Sequence, residues 1–187
     1  MKSYTEIQGW CDYEDLYSHF SDILKDDSVF VEIGVWKGRS ICFLGQQILI
    51  KGKKTKLFGV DTFKGSENET PHQIEVQKLG GSTLPIFESN ISALGLQDIV
   101  FPIESNSVAA SSKFENGSID IIFVDGDHSY EGVKADLAAW TPKMKSGGIM
   151  CGHDFWASTV KQAVFDHFTS IQKIPQGISS SCWAVKM

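Results

Sequence analysis

Short runs rich in Val, Ile and Phe alternate with stretches of helical periodicity along this whole chain, and that alternation constrains its fold most. Val29-Phe30-Val31-Glu32-Ile33, Leu57-Phe58-Gly59-Val60, Ile99-Val100-Phe101-Pro102-Ile103, Ile121-Ile122-Phe123-Val124 and Ile149-Met150-Cys151 read as strands. Between them, Leu16, Phe20 and Ile23 mark one helix face, Ile41, Leu44 and Ile48 a second, and Phe87, Ile91 and Leu94 a third. Val133, Leu137 and Trp140, then Val160, Val164 and Phe168, mark two more, with a short helix over 108–114. Strands separated by helices imply a mostly parallel sheet covered on both faces, an α/β three-layer sandwich. The tail Ser181-Cys182-Trp183-Ala184-Val185 supplies a closing antiparallel strand, and Pro102 favours an edge position or a bulge. Residues 62–86, with Gly65, Pro71, Gly80-Gly81 and Pro85, read as a loop or lid inserted after the second strand.

At 187 residues the chain is expected to be one domain spanning 1–187, long enough to bury a sizeable core. Its net charge of −6 argues against nucleic acid or an anionic membrane as partner, since both demand clustered Lys and Arg. The one basic cluster, Lys51 to Lys56, reads as an exposed loop. No apolar run is long enough to cross a membrane, and the first residues lack the apolar core of a signal peptide. The cysteines, Cys11, Cys42, Cys151 and Cys182, are scattered without a paired motif, so a reduced, cytoplasmic protein is the expectation.

Chemistry-bearing residues concentrate where strands end, the place at which open α/β sheets bind ligands. The first strand runs into Glu32-Ile33-Gly34-Val35-Trp36-Lys37-Gly38-Arg39-Ser40. Its two glycines let a ligand approach the backbone, and the following helix N-terminus offers unpaired N–H groups. The dinucleotide pattern G-x-G-x-x-G is not met, because Glu32 stands at its first glycine and Trp36 breaks the spacing. A carboxylate there repels pyrophosphate but tolerates a cationic or zwitterionic ligand. Asp61 ends the second strand, where an acidic residue accepts hydrogen bonds from ribose hydroxyls. Asn106-Ser107 either borders an adenine ring or caps the helix that follows. After the fourth strand comes Asp125-Gly126-Asp127-His128-Ser129-Tyr130, and after the fifth His153-Asp154. His128 is either a helix-capping residue or a general base, its ordinary pKa near 6.5 suiting proton removal from a hydroxyl. Asp127 has no assignable role.

The order and spacing of these segments resemble the class I S-adenosylmethionine-dependent methyltransferases, in particular the small-molecule O-methyltransferases of the catechol and macrocin branch. The resemblance implies a Rossmann-like, seven-stranded sheet with the last strand reversed. It also implies that Gly34 and Gly38 flank the methionine part of the cofactor, with Ser40 in the same motif. Asp61 would hold its ribose, Asn106 and Ser107 its adenine, and Glu32 and Asp125 would stand near it. His128 occupies the place of the branch's catalytic base. Asp125, His153 and Asp154 occupy its divalent-metal site, with magnesium or manganese as candidates. Histidine replaces the usual carboxylate or amide at 153, which favours Mn²⁺ or Zn²⁺ over Mg²⁺ as a ligand; alternatively His153 buttresses Asp154.

The leading expectation is O-methylation of a small hydroxylated molecule by a monomer or homodimer, with His128 as base. The alternatives are an N-methyltransferase, a metal-independent sugar O-methyltransferase, or a non-catalytic cofactor-binding module. The acceptor is expected to contact residues 62–86, with Phe63, His72 and Phe87 lining a lid.

Overall fold

The computed structural model describes residues 3–66, 70–168 and 181–187. Helix α1 (Glu14–Ile23) opens with Glu14 and Asp15 in its first turn, where carboxylates complement the helix dipole, and buries Leu16, Tyr17 and Phe20. Strand β1 (Val29–Ile33) leads through the first glycine turn to α2 (Arg39–Ile50), and β2 (Lys56–Asp61) follows.

Inside the stretch read as irregular, the chain forms α3 (Thr70–Lys78). Only Val76 on it is buried, so no apolar stripe announces it, and Pro71 sits in the first turn, where its missing N–H costs nothing. Pro85 opens α4 (Leu84–Ala93) in the same way, and Gly95, in the left-handed region at φ 69°, follows the helix end. Then come β3 (Val100–Glu104), α5 (Ser107–Ser111), β4 (Ile119–Val124), α6 (Tyr130–Trp140), β5 (Met144–Gly152), α7 (Ser158–His167) and β6 (Trp183–Lys186). Helix α5 is shorter than the 108–114 reading. The hydroxyls of Ser111 and Ser112 donate to the carbonyls of Val108 and Ala109, competing with helix continuation.

The strands order as β3-β2-β1-β4-β5-β6, all parallel except β6, which runs antiparallel to β5. The sheet has six strands among the described residues, not the seven expected. After α7 the described chain meets the sheet once more, in β6, and residues 169–180 lie outside the described residues. Pro102 falls on the edge strand β3, where its missing donor faces no neighbour.

Side chains alternate faces along each strand. Phe30, Leu57, Phe123 and Cys151 join Tyr17, Phe20, Leu44 and Phe87 in one core. Val31, Val60, Ile122, Val124 and Met150 join Val133, Leu137, Trp140 and Val164 in the other. Glu32 falls between Val31 and Ile33 and therefore faces the first core as a buried carboxylate.

The parallel ladder continues one residue past the strands. Gly34 N–H donates to Val60 O (2.8 Å), Asp125 N–H to Ile33 O (2.8 Å), His153 N–H to Val124 O (3.1 Å) and Ser105 N–H to Asp61 O (2.9 Å). The sheet thereby holds the first residue of each functional loop. The order reverses between β1 and β4, so the Gly34 and Asp125 loops flank the crevice where such sheets bind ligands.

Phe123 supports that crevice from below, its ring 4.6 Å from Tyr13 and 5.1 Å from Tyr17. Truncating Phe123 to Ala is expected to cost about 3–5 kcal/mol in urea unfolding. Ile50→Ala, at the exposed end of α2, should stay within about 0.5 kcal/mol of the parent. Equal losses would contradict this placement of the core.

Candidate active site

The turn after β1 is built for close approach. Gly34 (φ 84°) and Gly38 (φ 88°) occupy the left-handed region, and Trp36 joins them at φ 49°. A Cβ on Gly34 would lie 2.0 Å from the Asp125 carbonyl oxygen, so only glycine lets the two loops touch. Gly38 is the N-cap of α2 and provides no side-chain cap, leaving first-turn N–H groups for a ligand carboxylate or phosphate.

Asp61 does more than the sequence suggested. Its Oδ2 accepts from the backbone N–H of Val35 (3.0 Å) and Trp36 (2.9 Å), and its Oδ1 from Phe63 (2.8 Å). It therefore ties the β1 turn to the β2 loop. Burial raises its pKa, opposed by those backbone hydrogen bonds.

Glu32 sits buried beneath the same turn, accepting from Ser40 Oγ through Oε1. Its Oε2 has no hydrogen-bond partner among the described residues. Burial pushes its pKa up to about 8; the Ser40 hydroxyl opposes that shift and the Asp125 charge adds to it. The Tyr17 hydroxyl is near enough to favour the carboxylate form, yet makes no well-formed hydrogen bond. Across the crevice, Asn106 Oδ1 accepts from Val108 N–H (3.0 Å) and Ala109 N–H (3.4 Å), the helix-cap arrangement. Ser107 Oγ accepts from Trp140 Nε1 (2.9 Å).

At the ends of β4 and β5 the structure gathers one candidate metal-ligand atom each from Asp125, His128 and Asp154 within 4.8 Å of one another. His128 Nε2 lies 2.9 Å from Asp154 Oδ2 and 3.6 Å from Asp125 Oδ1. The approach to Asp154 is off the line of the ring N–H, so it is an ion pair rather than a formed hydrogen bond. His153 Nδ1 faces the same carboxylates, 3.2 Å from Asp154 Oδ2 and 3.5 Å from Asp125 Oδ1. Thus the sequence's candidate metal residues and its candidate base form one cluster, in which both imidazoles face the same two carboxylates. Asp154 holds a left-handed backbone (φ 54°), a conformation Asp tolerates, which aims its carboxylate inward.

The carboxylates of Asp125 and Asp154 push the pKa of His128 up to about 10. Burial pulls His153 down, but the same pair more than offsets it, to about 10. Burial raises Asp125 and Asp154, yet the two imidazoles hold both below the usual carboxylate range. The two carboxylates therefore move His128 well above the ordinary pKa invoked for it and favour its imidazolium form.

Asp127 gains a role. Its Oδ1 accepts from Ser129 N–H (2.8 Å), and its carboxylate packs so closely on Gly132 that a Cβ there would lie 2.4 Å away. With Ser129 as N-cap, accepting from Gly132 N–H (3.1 Å), it starts α6 rather than facing the cluster. Two residues that no motif indicated also reach the site. Tyr13 Oη donates to Asp125 Oδ2 (3.0 Å), and Asp12 Oδ1 lies 2.9 Å from His153 Nε2. Over the first turn, the His72 ring of α3 stacks on Trp36 with centroids 4.6 Å apart, and Lys37 bonds Gln8 and Glu75.

A family model described as a methyltransferase domain matches residues 31–155, from β1 to just past Asp154. An uncharacterized protein, R132 of Acanthamoeba polyphaga mimivirus, is 29% identical over 154 residues, covering 79% of this chain and 62% of that protein. The chain thus spans less than two thirds of that relative's length. Among solved structures, the calicheamicin methyltransferase CalS11 superposes with a TM-score of 0.63 at 17% identity, covering 92% of this chain and 76% of that one. The O-methyltransferase NovP gives 0.62 at 18%, with 92% and 78% covered. Likeness at such identities shows a shared fold. No helix among the described residues is long and apolar enough to cross a membrane.

Glu32 makes stability depend on pH. Its carboxyl is raised from 4.5 to about 8 on folding, so the folded protein binds that proton more tightly than the unfolded chain. The cost of burying the charge is absent below about pH 4.5, grows as pH rises, and is complete above about pH 8. Glu32→Gln should therefore gain thermal stability relative to the parent progressively from pH 5 to pH 8. An advantage that stays flat across that range would refute this assignment.

Proposed function

This chain belongs to the methyltransferase domain family, with the fold of the class I S-adenosylmethionine-dependent enzymes, and from that membership we propose that it methylates a hydroxyl of a small molecule. The observation that carries the choice of oxygen is the Asp125–His128–Asp154 cluster beside the Gly34 turn. In this reading residues 1–187 act as one domain, and the described parts of the 62–86 stretch, 62–66 and 70–86, cover the crevice, with 67–69 outside the described residues.

The residues present suit the cofactor. S-adenosylmethionine supplies its methyl group from a sulfonium, a cationic centre that the buried Glu32 and neighbouring Asp125 tolerate. Gly34 and Gly38 leave room for its methionine portion, the uncapped α2 N-terminus receives the carboxylate, and Asp61 stands at the strand end where an acidic residue accepts from ribose hydroxyls. The adenine would lie against the Asn106–Ser107 loop. Asp61→Asn, which keeps the shape but loses the charge, should weaken S-adenosylhomocysteine binding by about 10-fold or more in calorimetry. Unchanged affinity would remove Asp61 from the cofactor site.

The cluster also suits a divalent cation, since two carboxylates and an imidazole offer the oxygen and nitrogen ligands that Mn²⁺ accepts. Such an ion, held by Asp125, Asp154 and His153, would lower the pKa of an acceptor hydroxyl and fix its position. Filling the site requires the imidazole ligand to surrender its proton. A metal-independent transfer is the second reading, favoured by the two imidazoles beside the carboxylates, which can neutralise them without a metal. Exhaustive chelation separates the two, because activity that survives it belongs to the second.

His128 is the proposed base. To act so it must first release its own proton to solvent, which a cation entering beside Asp125 and Asp154 would favour, and the neutral ring then accepts the hydroxyl proton. Replacing His128 by Ala should lower turnover on the order of 10²–10⁴-fold. S-adenosylhomocysteine affinity should stay within about threefold, because His128 lies outside the proposed cofactor contacts. Full turnover in that variant would exclude the role.

A further inference from the structure

We propose that Asp12 and Tyr13, which precede the stretch matched by the family model, belong to the active site as positioning residues that aim two members of its cluster. The inference rests on the reading of that cluster as the site of chemistry.

Each of the two residues occupies one end of a bifunctional group and leaves the other end pointing inward. The Tyr13 hydroxyl donates to Asp125 Oδ2 at 3.0 Å, while Asp125 Oδ1 faces His128 Nε2 at 3.6 Å and His153 Nδ1 at 3.5 Å. Tyr13 thereby decides which carboxylate oxygen addresses the imidazoles. Asp12 Oδ1 stands 2.9 Å from His153 Nε2, while His153 Nδ1 lies 3.2 Å from Asp154 Oδ2. Asp12 thereby fixes the ring flip of His153. Without these partners, Asp125 could rotate about its last torsion and His153 could turn its ring, and both would lose a single inward-facing atom.

The segment has the means to hold this geometry. Tyr13 is buried at the N-cap position of α1, its ring 4.6 Å from Phe123 and 5.0 Å from His153. Upstream, Arg39 Nη1 donates to the carbonyls of Ile7 and Gly9, both at 3.3 Å, and Lys37 bonds Gln8. Ser181 Oγ donates to Asp12 Oδ1 at 3.3 Å from the approach to β6. The same residues that shape the first turn therefore anchor the N-terminal segment, linking the cofactor crevice to the aim of the cluster.

The test uses the full chain with ¹⁵N-labelled histidine and three variants, Tyr13→Phe, Asp12→Ala and Asp12→Glu. S-adenosylhomocysteine binding should be unchanged in all of them, which establishes that they are folded with an intact cofactor site. Asp12→Ala should shift the His153 ring nitrogen resonances, and Asp12→Glu should restore them in large part. Tyr13→Phe should shift the ring signals of both His128 and His153, because the released Asp125 carboxylate re-aims. Titrated with Mn²⁺ alone, Tyr13→Phe and Asp12→Ala should need about 10–100-fold more metal to broaden those resonances. Unshifted ring signals in both variants overturn the proposal, and so does wild-type Mn²⁺ affinity in both. If the parent protein takes up no Mn²⁺, the metal reading falls, and the histidine spectra alone decide for or against Asp12 and Tyr13.

Discussion

The site depends on a backbone ladder that outlasts the strands by one residue. Because Gly34, Asp125, His153 and Ser105 each donate their N–H to the neighbouring strand's last carbonyls, four loops start from positions set by the sheet. Loops are ordinarily the least determined parts of a fold. Here their first residues inherit the rigidity of a parallel sheet buried on both faces, and the chemistry-bearing side chains follow from there. The 2.0 Å approach that a Gly34 Cβ would make to Asp125 expresses the same constraint. The crevice between β1 and β4 is held narrow by backbone, so its width does not rely on side-chain packing.

On that frame, electrostatics sorts the acidic residues into different tasks. Glu32 is buried among apolar side chains and is driven toward its neutral form, up to about 8. Asp61 spends its lone pairs on three backbone amides and becomes a connector of loops. Asp125 and Asp154 sit beside two imidazoles and are held as carboxylates, and they raise those imidazoles in turn. Asp127, two residues from Asp125, is turned toward Ser129 and Gly132 and serves the start of α6. Environment divides residues of one chemical type into a buried acid, a connector, a charged pair and a cap.

Much of this was legible in the chain. Short apolar runs and the 3.6-residue period located each strand among the described residues and the five main helices, because burial writes itself into the placement of apolar residues. Helix α3 was not legible, since it buries little beyond Val76 and opens with a proline that reads as a breaker out of context. The expectation of seven strands came from the resemblance rather than from the residues themselves, and the sheet has six among the described residues. Asp125, His128, His153 and Asp154 were all identifiable by position after a strand. That His128 and His153 face one pair of carboxylates was not, because residues 25 positions apart in the chain meet only through β4–β5 pairing.

Sequence by itself determined the alternation, the parallel sheet, the restriction of Pro102 to an edge or a bulge, and the strand ends at which polar residues gather. Those follow from local rules, namely side-chain periodicity, the missing donor of proline and the freedom of glycine. Tertiary structure alone decided which oxygen of Asp125 looks inward, which nitrogen of His153 does, and that Asp12 and Tyr13 have a part in it. Those outcomes rest on hydrogen bonds between residues more than a hundred positions apart, and no local pattern encodes a partner at that range.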